Sequence, residues 1–220
     1  VSDSGPATSN GEVWRLGQGR HRAVLATHNS HKVREVSQVL DQAGALAGWT
    51  LVTAGELDLP VPVEDGVTFL ANAQIKARAA CQASGLVALA EDSGLCVEVL
   101  GGAPGVFSAR WAGGHGDDGA NLALLVDQLA DVPPVQRGAW FECVAVAVFP
   151  DGREVFAAGR MPGRLATEPA GDGGFGYDPI LIPDGMDLTS AQLAPSVKNA
   201  ISHRGQAWRA LAAELAKLGL

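Results

Sequence analysis

The sequence predicts an α/β protein: a long, highly twisted mixed β-sheet with flanking helices, forming two lobes around a central cleft. Three observations predict it. Short apolar runs of strand length alternate with stretches whose apolar residues recur at helical spacing. Residues 138–161 read as a long hairpin, two apolar strands joined by a turn at Asp151 and Gly152. The chain has 220 residues, 47% hydrophobic and 18% charged, which suits one sizeable core and not a disordered chain.

Residues 1–20 are polar and glycine-containing, without the apolar stretch of a signal peptide, and are expected to form a flexible N-terminal extension. Residues 21–220 are expected to form a single domain of two lobes. Residues 22–27 (RAVLAT) read as a strand, and 29–43 as a helix with Val33, Val36, Val39 and Leu40 on one face. Residues 49–53 give a second strand, and the proline-bearing stretch 57–66 a loop or edge strand. Thr68 caps a helix that runs through Ala83. Phe69, Ala73, Ala77 and Ala80 mark its buried face, and Gly85 ends it. Strands at 86–90 and 95–100 flank an expected tight turn at Glu91-Asp92-Ser93-Gly94. A helix at 117–129, the hairpin, a short strand at 179–182, a short helix at 189–193 and a final helix at 202–218 complete the chain.

Composition narrows the function. A net charge of -8 argues against a general nucleic-acid binder, so a phosphate site must gather positive charge locally or import a divalent cation. No apolar run approaches the ~20 residues of a membrane helix. Cys81, Cys96 and Cys143 lack metal-ligand spacing and read as buried small apolar residues in a reducing cytoplasm. The lysines are Lys32, Lys76, Lys198 and Lys217, and the first three fall in or beside polar motifs.

Those motifs carry the chemistry. Thr27, His28, Asn29, Ser30, His31 and Lys32 follow a strand and open a helix, where backbone N–H groups and the helix dipole favour anions. Asn72 and Lys76 stand four apart on one helix face, which by itself could be a solvated polar stripe. Glu91 and Asp92 are adjacent carboxylates, which repel unless a cation or proton intervenes. Magnesium bound to substrate phosphates takes one or two protein carboxylates, and Glu64 and Asp65 are further donors. Neighbours on an extended strand point oppositely, so Glu91 and Asp92 reach one ion only across a bend; one could instead orient a water. Gly171, Gly173 and Gly176 match G-x-G-x-x-G, but a strand-like ILI follows in place of a helix, which rejects the dinucleotide fingerprint. The loop instead offers Phe175 and Tyr177 as ring platforms for a base, with Asp178 as an acceptor. Ser202 caps the last helix, so His203 and Arg204 project from its first turn near Lys198. Each motif alone has an ordinary reading as a cap, a turn or a solvated face.

Together and in this order they are specific. T-x-N-x-x-K (Thr27, Asn29, Lys32), EDGxTF from Glu64, NAxxKA from Asn72, EDSGL from Glu91, LGGAPGVFSARWAG from Leu100, EPAGDGGFGYDPI from Glu168 and AISHRGQA from Ala200 resemble the inosine/xanthosine triphosphate pyrophosphatase family, the house-cleaning nucleotide hydrolases. The resemblance covers the chain from about Ala23 to its end. It implies a cytoplasmic homodimer that uses Mg²⁺ to cleave ITP, dITP or XTP to the monophosphate and pyrophosphate. It also implies roles. Thr27 to Lys32 would bind phosphate, Asp92 would be catalytic acid and metal ligand, and Glu64 a second metal carboxylate. Ser93 would touch substrate, and Phe175, Gly176, Tyr177, Asp178, Lys198, His203 and Arg204 would recognise the base. Lys76 and Lys32 would stabilise the charge carried away by pyrophosphate, and Asp92, or Glu91 through water, would orient the nucleophile. His203, Arg204 or nearby backbone would donate to the 6-oxo group, which adenine lacks. Such a pocket rejects the mismatch by ~10⁴ or more. Glu91 stands where this family usually has Asp, Met161 replaces Trp, and Val197 replaces an acid before Lys198. A non-catalytic nucleotide sensor and a pyrophosphatase for other modified nucleotides are the alternatives.

Overall fold

The structure, a computed structural model, describes residues 21–27, 30–43, 46 and 49–220. The expected extension over residues 1–20 lies outside the described residues. Six strands form one sheet: β1 (Arg22–Leu25), β2 (Thr50–Thr53), β3 (Val87–Val97), β4 (Gly138–Val148), β5 (Glu154–Leu165) and β6 (Leu181–Pro183), in the order β2-β1-β3-β4-β5-β6. The helices are α1 (Ser30–Ala43), α2 (Phe69–Ser84), α3 (Asp118–Gln128), α4 (Pro195–Ile201) and α5 (His203–Lys217). β1 pairs in parallel with β2 and with β3, because α1 and α2 carry the chain back as crossovers. The remaining pairs are antiparallel, and β4–β5 is the expected hairpin.

Strand alternation sorts β3 between two helical layers. Val87 and Leu89 join Val36 and Leu40 of α1 and Trp208, Leu211 and Leu215 of α5 on one face. Ala88 and Ala90 join Phe69, Ala73, Ala77 and Ala80 of α2 on the other. A third cluster gathers Leu95, Val97, Leu125, Leu129, Met161, Tyr177 and Ile180 at the far end of β3. The punctuation of α2 is as expected: Thr68 accepts from the Ala71 N–H, and Gly85 turns the chain out at φ +69°.

Three expectations need correction. No turn interrupts Glu91 to Gly94; β3 runs straight through, paired with β4 from Ala88 opposite Val148 to Val97 opposite Ala139. A ten-pair ladder outweighs the local turn preference of an acidic, glycine-ended string, and the chain turns only afterwards, at the 3₁₀ segment Glu98–Leu100. Gly94 serves close approach instead, since a Cβ there would overlap the Gly105 carbonyl and lie 2.5 Å from Ser108 Oγ. Residues 189–193 form a turn, with the Thr189 N–H donating to Gln192 Oε1 at 3.0 Å; the helix begins later, at Pro195, a residue suited to a first turn. The strand expected at 179–182 is Leu181–Pro183.

β1 and β3 differ in length. β1 faces only Val87, Ala88 and Leu89, while β3 continues eight residues further. On that edge the 3₁₀ segment Gly105–Arg110 and its preceding loop take over only near Leu95 to Val97, through Leu95 N–H to Ser108 Oγ and Val97 N–H to Ala103 O. Between them lies a notch beside Glu91, Asp92 and Ser93.

Candidate active site

A cavity of about 560 Å³ opens at this notch. Its wall includes Thr27 past the end of β1, Glu64 from the proline-bearing loop, Lys76 from α2, Ser93 from β3, Phe175 from the glycine loop and Arg204 from the first turn of α5. The helical spacing of Asn72 and Lys76 aims both at the even-numbered face of β3. Lys76 Nζ donates to Glu64 Oε2 at 3.0 Å and to Asp92 Oδ1 at 3.3 Å. Asn72 Nδ2 donates to Asp92 Oδ2 at 3.1 Å, and its own Oδ1 accepts the Gly66 N–H at 2.9 Å. Asn72 is 1% exposed, so this pair is not a solvated stripe. Burial alone would push the Lys76 ammonium down; the Asp92 and Glu64 carboxylates outweigh it and hold its pKa above the ordinary lysine value.

These acids fit a divalent cation by one observation: a single positive atom, Lys76 Nζ, already touches both, so the carboxylates of Glu64 and Asp92 converge on one point.

Glu91 lines the same cavity but stands apart from this corner. As the odd-numbered neighbour it points to the α5 face. There it accepts from Arg204 Nε at 2.8 and 3.0 Å, from Trp208 Nε1 at 2.7 Å and from Cys143 Sγ at 3.6 Å. Arg204 also donates from Nη2 to Ser93 Oγ at 3.2 Å.

The glycine loop and the α4–α5 junction close the other end. Asp178 Oδ2 accepts from Lys198 Nζ at 2.6 Å and from the Phe175 N–H at 2.9 Å. Gly174 must be glycine: its φ is +74°, and a Cβ would strike the Asp178 carboxylate. The Phe175 ring has Arg204 and Lys198 within cation–π range, at 5.4 and 5.5 Å. His203 stacks on Phe141 with centroids 4.8 Å apart. Tyr177 lines the cavity and also anchors the loop: its ring packs in the third core cluster and its hydroxyl donates to Ser108 O at 2.9 Å. Burial raises that hydroxyl's pKa, with the Asp118 carboxylate adding to the effect. The Gly176 N–H donates to Asp118 Oδ2 at 2.9 Å. His28, Asn29 and the side chains of Ser30, His31 and Lys32 lie outside the described residues.

The structure therefore brings together Thr27, Glu64, Lys76, Glu91, Ser93, Phe175, Gly176, Tyr177, Asp178, Lys198, His203 and Arg204 around one cavity, with Asp92 joined through Lys76. The sequence reading missed Phe141, Asp118, Ser108 and Trp208. Only Trp208 carried a local signal, four residues after Arg204 on one helix.

A carboxylate–ammonium corner and a basic aromatic corner in one cleft of an α/β sheet define a binding site for an anionic, ring-bearing small molecule. The chain belongs to the Ham1 family, whose model matches residues 23–214. It is 53% identical over 190 residues to the dITP/XTP pyrophosphatase of Leifsonia xyli, covering 86% of this chain and 93% of that protein. It is 53% identical over 191 residues to the dITP/XTP pyrophosphatase of Streptomyces coelicolor, covering 86% and 94%. Among solved structures, a HAM1 protein from Coxiella burnetii superposes with a TM-score of 0.82 at 38% identity, covering 90% of this chain and 99% of that one.

Proposed function

We propose that this chain hydrolyses the deaminated purine nucleoside triphosphates ITP, dITP and XTP to monophosphate and pyrophosphate, clearing them from the nucleotide pool. The observation that carries this is the single cavity joining Glu64, Lys76 and the linked Asp92 to Phe175, Lys198, His203 and Arg204, in a chain of the Ham1 family. Its volume, about 560 Å³, suits one nucleotide. Glu64 and Asp92 would hold Mg²⁺, which would screen phosphate charge and polarise the phosphoryl group. Asp92, held by Asn72, orients the attacking water and takes its proton. The water oxygen bonds to the α-phosphorus as the bond to the α–β bridging oxygen breaks. Lys76 stabilises the charge leaving with pyrophosphate. Lys32, whose side chain lies outside the described residues, shares that role on the resemblance alone. Phe175 stacks the base, and Arg204 and His203 read its 6-oxo edge, with Lys198 holding Asp178 and the glycine loop in place.

The two-lobed domain over residues 21–220, a cytoplasmic setting and a homodimer belong to the same proposal; light scattering reads the dimer mass directly. Among the described residues no helix is long and apolar enough to cross a membrane. The deciding experiment measures kcat/KM for ITP, dITP, XTP, GTP and ATP with Mg²⁺ and identifies the product. Pyrophosphate with a strong preference for the first three is expected; orthophosphate release, or equal rates on ATP, would overturn the reading.

A further inference from the structure

Glu91 is a buried carboxylate in the cleft that the mechanism leaves without a chemical step. Its side chain is 3% exposed and lies between two donors from one turn of α5, Arg204 and Trp208, four residues apart. Trp208 is fully buried in the core cluster of α1 and α5, and its indole N–H is the one polar handle of an otherwise apolar ring. That handle meets Glu91 Oε2 at 2.7 Å, and the same carboxylate holds Arg204 Nε at 2.8 and 3.0 Å. A guanidinium is planar with its N–H groups in a fixed fork, so holding Nε on one side and Nη2 on Ser93 sets the direction of the whole plane. Its Cζ lies over the Phe175 ring, 5.4 Å from the centroid.

We propose that Trp208 is a positioning residue for base recognition. Through Glu91 it fixes the plane of Arg204 beside Phe175, and so sets the preference for a 6-oxo over a 6-amino purine. This rests on the reading of the cleft as a deaminated-purine site. On it, the Glu91 carboxylate serves specificity, while its sequence neighbour Asp92 serves the chemistry on the opposite face of β3.

Trp208→Phe keeps an aromatic ring in the core and removes the N–H. The experiment measures kcat and KM for ITP and ATP, with the melting temperature, in wild type and variant. The expected result is an ITP KM raised about 10-fold, in keeping with the loss of a hydrogen bond to a charged group, with kcat within about 2-fold. The ATP kcat/KM stays level, so the ITP/ATP ratio falls about 10-fold. In an Arg204→Lys background the same change should leave the ratio where Arg204→Lys alone puts it, because Trp208 acts through Arg204. An unchanged ratio, equal losses on both substrates, or a full additional loss in the Arg204→Lys background overturns the proposal. If Trp208→Phe fails to fold, Glu91→Gln tests the same link by the same ratio, and an unchanged ratio there overturns it equally. A wild type without preference for ITP defeats the functional reading itself, before any variant is compared.

Discussion

Replacing Gly94 by alanine tests how the notch is built. A Cβ at this position would overlap the Gly105 carbonyl oxygen and come within 2.5 Å of Ser108 Oγ, where real contacts stay above 3.0 Å. The Gly105 contact is backbone and cannot rotate away, so the segment Gly105–Arg110 must withdraw from β3 by about half an ångström or more. Overpacking of this kind costs about 1–3 kcal/mol. Withdrawal also strains the 2.9 Å bond from the buried Leu95 N–H to Ser108 Oγ, and an orphaned buried donor costs about 1–3 kcal/mol more. A combined loss near 3 kcal/mol lowers the melting temperature of a domain this size by roughly 6–12 °C. Because Ser108 O also receives the Tyr177 hydroxyl at 2.9 Å, the glycine loop shifts too, and the ITP KM should rise. Thermal melts by circular dichroism and steady-state kinetics read both effects. Gly114→Ala, where a Cβ meets nothing within 4 Å, is the control and should melt like wild type. If Gly94→Ala melts within about 1 °C of wild type, the close-approach reasoning is wrong.

Asp92→Asn should retain the melting temperature to within a few degrees while turnover of ITP falls at least ~10³-fold; substantial residual activity would remove Asp92 from its role. Lys76→Met should leave Glu64 and Asp92 facing each other without their ammonium, so Mn²⁺ binding without nucleotide, followed by electron paramagnetic resonance, should tighten about 10-fold, a small part of the gross attraction between unit charges at this range. Unchanged or weaker Mn²⁺ binding would separate these acids from the metal. Burial raises the Cys81 thiol, and burial with the Glu142 carboxylate raises Cys96 to about 11, so both stay protonated at pH 8. A chromogenic disulfide reagent should therefore find almost no fast-reacting thiol in the native protein and all three once the chain is denatured. Rapid native labelling of Cys96 would contradict the burial.

Much of the fold was legible because its signals are local. Thr68 and Gly85 mark the ends of α2 through cap geometry that a few residues decide, and the β4–β5 hairpin declares itself by alternation and its Asp151-Gly152 turn. The glycine-rich string was correctly kept from the dinucleotide reading because no helix follows it. Glu91 to Gly94 was misread because its preference for a turn is local, whereas the ladder with β4 that straightens it comes from residues fifty positions away. The rule that adjacent strand residues face apart then split Glu91 from Asp92. The anchoring of Tyr177 was hidden for a related reason: whether a ring in a glycine loop packs into the core depends on Ser108, 69 residues earlier in the chain. Of the site, the carboxylates, lysines and Arg204 were visible as residue types in motifs. Phe141 and Asp118 were not, since an apolar ring in a strand reads as core and an acid in the first turn of a helix reads as a helix start; Trp208 showed only its spacing from Arg204.

The abrupt end of β1 has a bearing on solubility. Bare strand margins invite pairing with other chains, and proteins guard them. From Ala90 to Gly94, no strand among the described residues pairs with that side of β3, a gap of roughly 17 Å at the usual rise per residue. Leu25 stands at one end of this gap and Ser108 at the other, so a foreign segment would find room for only a few rungs before meeting an obstacle. The same opening admits a compact polyanion, which has no need of rungs.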